Sequence, residues 1–154
     1  KYKNKYNIGI SWKSFNNRYA FDKSLNLNDF KDVFKLPNCN IFNLQYGDVV
    51  DEINDFNNIK TKLLNIEDLD LYNDFEGIAS LLKSLDIFVT VSNSTAHLAG
   101  SLGVKTLLIK PYKYALFHYW NQKNNKTPWY NSVELIEREE FLKGSSNLTK
   151  YFNL

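Results

Sequence analysis

Short apolar runs rich in β-branched and aromatic residues recur along this chain, separated by polar turns. Such runs are typical of strands that are buried on both faces, as in a parallel sheet. They predict strands at residues 6–12, 41–44, 87–91, 104–109 and 133–136. Leu63, Leu64 and Ile66 predict a further short strand in the least regular part of the chain.

Segments in which apolar residues repeat at helical spacing alternate with these strands. They predict helices over residues 25–36, 48–56 and 75–85, and a helical tail over residues 138–154. We expect Pro37 to end the first helix, Asp48 to cap the second and Asp74 to cap the third. The buried face of the first helix should carry Leu27, Phe30, Val33 and Phe34, and that of the tail Phe141, Leu142, Leu148 and Phe152.

The alternation of strands and helices predicts the α/β class. With 154 residues, the chain has the size of one domain and can bury a substantial core. We therefore expect residues 1–154 to form a single Rossmann-like domain, with a parallel sheet of about six strands and helices on both faces.

The segment DIFVTVSNSTAHLAGSLGVKTLLIKP, residues 86–111, contains a complete unit of strand, turn, helix and strand. Its helix carries Ala96, Ala99, Gly100 and Ser101, which are small enough for close packing on a sheet. A helix that starts after the carboxyl end of a parallel strand directs free N–H groups and the positive end of its dipole into the crevice above the sheet.

This turn is therefore a candidate phosphate site. Ser92, Asn93, Ser94 and Thr95 bring hydroxyl, amide and main-chain N–H groups to the start of the helix. The same side chains are also favoured as helix caps, so capping without any ligand is the alternative interpretation.

A long polar segment with Lys13, Arg18 and Lys23 follows the first strand. One interpretation is a solvated surface loop. The other is anion binding, because a loop that leaves the carboxyl end of a central strand opens onto the crevice where α/β sheets bind ligands.

The charge pattern argues against a nucleic-acid partner. The 19 basic and 17 acidic side chains give a net charge of only +2, and they are interspersed along the chain.

Cys39 is the only cysteine, and His97 and His118 are the two histidines. Neither an intrachain disulfide nor a dedicated metal site is expected from so few ligands. No apolar run has the length of a membrane span and the start is no signal peptide, so we expect a cytoplasmic protein.

Three segments resemble, in the same order, segments of the heptosyltransferase-like glycosyltransferases, including forms fused to tetratricopeptide repeats. VSNSTAHLAGSLGVKTLLIKP at residues 91–111 is similar to that family's VDTSVAHLAGALGKPVWVLLP type of segment. TPWYNSVELI at 127–136 resembles SPWYPSVRLFRQ, and NIFNLQYGD at 40–48 resembles FVSLQKGD. The resemblance extends over residues 6–137.

This resemblance implies a two-domain GT-B architecture in which the sugar nucleotide binds mainly to the C-terminal, Rossmann-like half. We expect the chain to be that half, with the N-terminal acceptor domain lying outside it. It then binds an ADP- or UDP-sugar without a metal or other cofactor. The general base for transfer belongs to the other half, so the isolated domain is expected to be inactive.

The resemblance also implies a set of donor- and phosphate-binding residues. These are Ser11, Lys13, Lys23, Ser92, Asn93, Ser94, Thr95 and His97. In this scheme Ser94 and Thr95 hold the diphosphate, and Lys13, aided by Lys23, neutralises the charge that grows as the nucleotide leaves. His97 donates to a phosphate oxygen, or alternatively is a partly buried histidine bonded to a loop carbonyl.

Further residues are implied to lie beside the nucleotide. They are Gln45, Tyr46, Asn73, Asp74 and Phe75. Gln45 can instead satisfy loop backbone, Asp74 can act only as a cap, and Gly47 can only supply a positive φ. Trp120 matches the tryptophan that the family carries in a loop after its fifth strand, where the loop either covers the ligand or faces the partner domain.

The chain departs from the family pattern in the phosphate turn. Ser92 stands where the family often has Asp, and Asn93 where it has Thr. The lost carboxylate supports a second hypothesis, a non-catalytic nucleotide- or partner-binding module that retains the fold. A dehydrogenase is disfavoured, because the residues after the first strand contain no G-x-G-x-x-G fingerprint.

Overall fold

The computed structural model describes residues 4–15, 18–57, 63–120, 126–144 and 148–152. Its strands are β1 (Tyr6–Ser11), β2 (Cys39–Asn43), β3 (Leu63–Leu64), β4 (Ile87–Val91), β5 (Thr106–Ile109) and β6 (Val133–Ile136). They form one six-stranded parallel sheet in the order β3-β2-β1-β4-β5-β6. The predicted α/β, Rossmann-like fold is confirmed.

Helices connect these strands. The α-helices are α1 (Ala20–Lys23), α2 (Val50–Asn57), α3 (Phe75–Lys83), α4 (Ser94–Ser101) and α5 (Arg138–Leu142). Short 3-10 helices lie at Leu27–Phe30, Val33–Lys35, Lys113–Ala115, His118–Trp120 and Thr149–Tyr151. Within the described ranges, no helix has the length and apolar character needed to cross a bilayer.

The two faces of the sheet pack against different elements. Ile8 and Ile10 of β1 belong to a buried cluster with the 3-10 segments after α1 and with α5. Phe42 of β2 and Phe88 of β4 belong to a second buried cluster, with α3 and with Ala99 of α4. Alternate strand residues therefore enter opposite cores, and burial on both faces explains the continuous apolar runs of the sequence.

The direction of chain winding reverses between β1 and β4, which are neighbours in the sheet although β2 and β3 lie between them in sequence. At their carboxyl ends Ser11 pairs with Thr90. Open α/β sheets bind ligands outside the carboxyl ends of the strands at such a switch point. The fold thus brings the segment after β1 and the turn before α4 to the same crevice.

The prediction of one α-helix over residues 25–36 is wrong. Two 3-10 helices take its place, although the four apolar residues expected on its inner face are buried. The Leu27 N–H donates to the Glu52 carboxylate on α2 at 2.8 Å, and the Asn26 N–H donates to Asp29 at 2.9 Å. These side-chain acceptors fix the start of the segment, and one of them is distant in sequence.

Two cap predictions have different outcomes. Asp74 caps α3 as expected, with its Oδ1 accepting from the Gly77 N–H at 2.8 Å. The expected Asp48 cap is wrong, because α2 begins at Val50 and the first carbonyl of its hydrogen-bond ladder is that of Val49.

The expected helical tail is only partly helical, since α5 ends at Leu142 and a 3-10 turn follows at Thr149–Tyr151. Phe141, Leu148 and Phe152 are buried as predicted. Leu142 is 47% exposed, so its predicted burial is wrong. Residues 145–147 and 153–154 of the predicted tail lie outside the described part.

Small residues let α4 pack closely, as expected for Ala96, Ala99 and Gly100, which are buried. A Cβ atom on Gly100 would lie 2.5 Å from the ring of Tyr130. Ser101 does not take part, since it is exposed and donates its hydroxyl to the Leu98 carbonyl at 2.8 Å.

Replacing Gly100 by alanine should destabilise the protein, because the added methyl group must displace the rigid Tyr130 ring. We expect a loss of about 1–3 kcal/mol in the free energy of unfolding, measured by urea denaturation. Ser101→Ala on the exposed side of the same helix is the matched control and should change it by no more than about 0.5 kcal/mol. Equal stabilities for the two variants would contradict the packing described here.

Candidate functional site

A buried hydrogen-bond network joins the carboxyl ends of β1, β2 and β4. The Gln45 Oε1 atom accepts three hydrogen bonds, from the Ser11 hydroxyl at 3.0 Å, the Trp12 N–H at 2.7 Å and the Lys13 N–H at 2.6 Å. The Asn93 Nδ2 atom donates to the Ser11 hydroxyl at 2.8 Å and to the Lys13 carbonyl at 3.2 Å. Ser11, Gln45 and Asn93 therefore support the crevice from beneath.

The start of α4 lies directly above this network. Asn93 caps the helix, with its Oδ1 accepting from the Ala96 N–H at 3.0 Å. Among the described residues, the N–H and hydroxyl groups of Ser94 and Thr95 have no hydrogen-bond partner. Both residues line a cavity, so the positive end of the α4 dipole opens into it.

That cavity has a volume of about 370 Å³, and its walls are mostly apolar, with four aromatic residues. It is lined by Phe15, Tyr46, Leu71, Tyr72, Phe75, Ile78, Ser94, Thr95 and Leu98. The ring centroids of Tyr46 lie 5.6 Å from Phe15 and 5.9 Å from Tyr72. Tyr72 and Phe75 remain 66% and 64% exposed, so their ring faces are accessible to a planar ligand.

Gly47 shapes this aromatic wall. Its φ is +85°, the left-handed conformation that was one expectation for this turn. A Cβ atom at Gly47 would lie 2.5 Å from the ring of Phe15. Glycine is therefore needed here both for the turn and for the approach of Phe15 to the cavity.

Of the predicted nucleotide-binding residues, the structure places only Tyr46 and Phe75 on the cavity wall. Gln45 is buried in the network and Asp74 caps α3, which are the non-functional alternatives for these two positions. Asn73 is exposed and donates from Nδ2 to Asp70 at 2.8 Å.

Lys13 is paired with a carboxylate on α2. Its Nζ lies 2.5 Å from the Glu52 Oε2, and the two side chains are 30% and 22% exposed. Burial alone raises the pKa of Glu52. Hydrogen bonds from Lys13, the Leu27 N–H and the Trp12 indole, together with the Lys13 charge, outweigh burial and lower that pKa. In this structure Glu52 already neutralises Lys13.

Lys23 has a different environment. It is 6% exposed, and its Nζ lies 4.7 Å from the centre of the Phe117 ring. No carboxylate among the described residues forms an ion pair with it. Burial lowers the pKa of Lys23, and its charge in turn helps to lower the pKa of His97 on α4. Lys23 is therefore a cation close enough to His97 of α4 to influence it, with no carboxylate partner in the described part of the chain.

Arg138 holds the segment that carries Lys23. Its guanidinium donates to the Asp22 carbonyl at 2.9 Å and to the Ser24 carbonyl, the two neighbours of Lys23 in sequence. It also lies 4.5 Å from the centre of the Tyr112 ring. Arg138 is buried and thereby anchors α1 to the start of α5.

His97 lies in an aromatic cluster. Its ring stacks on Trp120 with a centroid distance of 4.5 Å, and Tyr119 meets its edge at 4.7 Å. The Nδ1 atom is 3.1 Å from the Tyr130 hydroxyl, whereas the expected alternative was a bond to a loop carbonyl. Burial, and after it the Lys23 charge, lowers the pKa of His97, which favours the neutral ring.

Ser92 fixes this cluster. Its buried hydroxyl accepts from the Trp120 indole N–H at 2.8 Å. Ser92, one of the two residues in this turn that differ from the heptosyltransferase-like segment, thus binds the tryptophan of the loop after β5. Residues 121–125 of that loop lie outside the described part.

Several residues of the site were missed by sequence reasoning. Phe15 and Tyr72 line the cavity, Glu52 pairs with Lys13, Arg138 anchors the Lys23 segment, and Tyr130 contacts His97. The signal available for Phe15 and Tyr72 was that each is an aromatic residue in a loop that follows a strand of the predicted parallel sheet. In the part of the chain that is described, no group of three His, Cys, Asp or Glu side chains is arranged to hold a metal.

Replacing Gln45 by leucine should strongly destabilise the protein. Two main-chain N–H groups and the Ser11 hydroxyl would lose their acceptor in a buried site. We expect a loss of about 3 kcal/mol or more in the free energy of unfolding, measured by urea denaturation. The control Asn54→Leu, on the exposed side of α2, should change it by about 0.5 kcal/mol at most. A comparable small effect for Gln45→Leu would rule out the structural role of the network.

Replacing Glu52 by glutamine should change how stability depends on pH. The folded-state pKa of Glu52 is below its ordinary value of 4.5, so its carboxylate stabilises the fold above that pH. This contribution is lost as the pH falls through the folded-state value. The difference in unfolding free energy between wild type and Glu52→Gln should therefore shrink as the pH falls below 4.5 and through the lowered folded-state pKa. A difference that stays constant over this range would contradict the assignment.

Comparison with known proteins found a distant relative. Protein FlbA of Caulobacter vibrioides is 26% identical over 139 residues, which cover 87% of this chain and 22% of FlbA. The chain therefore spans about a fifth of the length of that curated relative. No protein-family model matches the chain.

Proposed function

We propose that this chain is the donor-binding half of a metal-independent glycosyltransferase similar to the heptosyltransferases. It binds a nucleotide-diphosphate-sugar, an ADP- or UDP-sugar, in the crevice between β1 and β4. The observation that carries the proposal is the start of α4. There the N–H groups of Ser94 and Thr95, unpartnered among the described residues, open into an aromatic cavity at the switch point.

The electrostatics of the crevice support binding of a diphosphate. The helix dipole and the free N–H groups of α4 favour an anion at this position. Lys23 adds a buried positive charge that no described carboxylate neutralises. A buried cation without a partner is costly unless an anion completes its environment.

The cavity supports binding of the nucleoside. A volume of about 370 Å³ lies within the range of small-molecule sites. Tyr46, Tyr72 and Phe75 present aromatic faces on which a base can stack, and such stacking tolerates different bases. The base would then lie against α3 and the diphosphate at the tip of α4.

The chemistry proposed for this chain is stabilisation of the leaving group. As the bond between sugar and phosphate breaks, negative charge grows on the outer phosphate. Donors already oriented in the crevice interact with this charge more strongly than with the ground state. The base that deprotonates the acceptor would come from an N-terminal acceptor domain. We therefore propose donor binding by this chain, no turnover in isolation, and a cytoplasmic location where such donors are available.

A non-catalytic module is the second candidate function. The observation that favours it is the turn before α4. There Ser92 stands in place of the family's usual Asp, and the Ser92 hydroxyl accepts a hydrogen bond from the Trp120 indole. A module of this kind binds a nucleotide or a protein partner but transfers no sugar. Transfer of the sugar from a bound donor by the full-length protein separates the two candidates.

Nucleoside diphosphates should stabilise the wild-type chain more than the matching nucleosides, since the diphosphate contacts carry the charge interaction. A thermal-shift panel of ADP, UDP, GDP, CDP and their sugars checks this, followed by calorimetry. Lys23→Met should weaken binding of the best diphosphate by about tenfold or more.

Lys83→Met is the matched control, because Lys83 lies at the far end of α3 and donates to the Leu102 carbonyl. It should leave the affinity unchanged. Indifference of the wild type to every nucleotide would exclude the donor-binding proposal. Equal losses for the two lysine variants would exclude a specific role for Lys23.

A further inference from the structure

We propose that Glu52 is a positioning residue that holds the Lys13 ammonium at α2 and releases it to the diphosphate when a donor binds at the start of α4. This inference rests on the proposed function, because it concerns regulation of the same crevice. It assigns the ion pair a second arrangement, in which Lys13 contacts phosphate and Glu52 keeps its other partners.

The main chain of Lys13 is fixed next to the start of α4. Its N–H donates to Gln45 at 2.6 Å, and its carbonyl accepts from the amide of Asn93, the residue that caps α4. The side chain is a flexible four-carbon stem and is 30% exposed. Lys13 can therefore change the direction of its ammonium group without any movement of the sheet.

The Glu52 carboxylate, in contrast, does not depend on Lys13 for its position. It also accepts from the Trp12 indole at 3.0 Å and from the Leu27 N–H at 2.8 Å. These two bonds remain when the lysine leaves, and they keep the carboxylate in place. The ion pair thus joins a fixed acceptor to a mobile donor.

The surroundings allow the lysine to move. Lys13 and Glu52 line an open groove of about 620 Å³ with Asn26, Asp55 and Phe56. Partly exposed ion pairs contribute little net stability, whereas a diphosphate offers more negative charge and several acceptor oxygens. A diphosphate bound at α4 therefore competes effectively for the ammonium group.

A double-mutant cycle tests this inference. Inorganic pyrophosphate, ADP and UDP are titrated by calorimetry into the wild-type chain, Glu52→Gln, Lys13→Met and the double variant. Glu52→Gln should bind diphosphate about threefold to fivefold more tightly, because the lysine no longer has a competing partner. This gain should disappear in the double variant. Glu140→Gln, which removes the exposed ion pair between Lys150 and Glu140, is the control and should change nothing.

The other outcomes overturn the inference. Unchanged affinity in Glu52→Gln, with the wild type still binding diphosphate, rejects the role of Glu52 and leaves the proposed function intact. A gain that persists in the Lys13→Met background shows a general effect of removing negative charge. Absence of diphosphate binding in every variant rejects both proposals together.

A measurement on the wild-type protein covers the case in which Glu52→Gln does not fold. Lysines are labelled by reductive ¹³C-methylation, and the Lys13 signal is assigned by its loss in Lys13→Met. Pyrophosphate should shift this signal and leave that of Lys150 unchanged. A Lys13 signal that does not respond at saturating pyrophosphate would reject the exchange of partners.

Discussion

The structure depends on one buried carbonyl oxygen, the Oε1 atom of Gln45. Three donors from the end of β1 converge on it, and Asn93 extends the contact to the turn before α4. Without this acceptor, two main-chain N–H groups would remain unsatisfied inside the protein, which is costly. The network fixes the relative positions of three parallel strand ends, and the crevice above them keeps its shape because this support is rigid.

Internal hydrogen-bond partners distinguish the polar groups that support the crevice from those that can bind a ligand. Ser11, Ser92 and Asn93 all have internal partners for their side chains, whereas the N–H and hydroxyl groups of Ser94 and Thr95 have none among the described residues. The two lysines differ in the same way, since Lys13 has a carboxylate partner and Lys23 has none in the described part of the chain. In the polar turn before α4, the side chains of Ser92 and Asn93 thus support the structure, and the next two residues, Ser94 and Thr95, are available to a ligand.

The sequence predicted the fold well because burial on both faces leaves a strong local signal. β4 and β6 have the predicted bounds, and β1, β2 and β5 differ from theirs by only a few residues. In residues 25–36, periodicity predicted the buried face but not the helix type, because two 3-10 helices bury the same four apolar residues. In the site, Ser94 and Thr95 stand at the start of a helix that follows a parallel strand. That position alone predicted that their N–H groups would lack partners within the helix. The pairing of Lys13 with Glu52 and the anchoring of α1 by Arg138 are tertiary contacts without a local pattern.

The stacking of His97 on Trp120 has a consequence for how the protein can be observed. Indole emission depends on the polarity and hydrogen bonding around the ring. Trp120 is joined to Ser92 before α4, and Trp12 is joined to Glu52 on α2. Both indoles are thus hydrogen-bonded to residues next to the crevice, whereas the third tryptophan, Trp129, is 62% exposed. A ligand that changes the turn before α4 or the contacts of Glu52 should therefore alter the emission of these indoles without any added label.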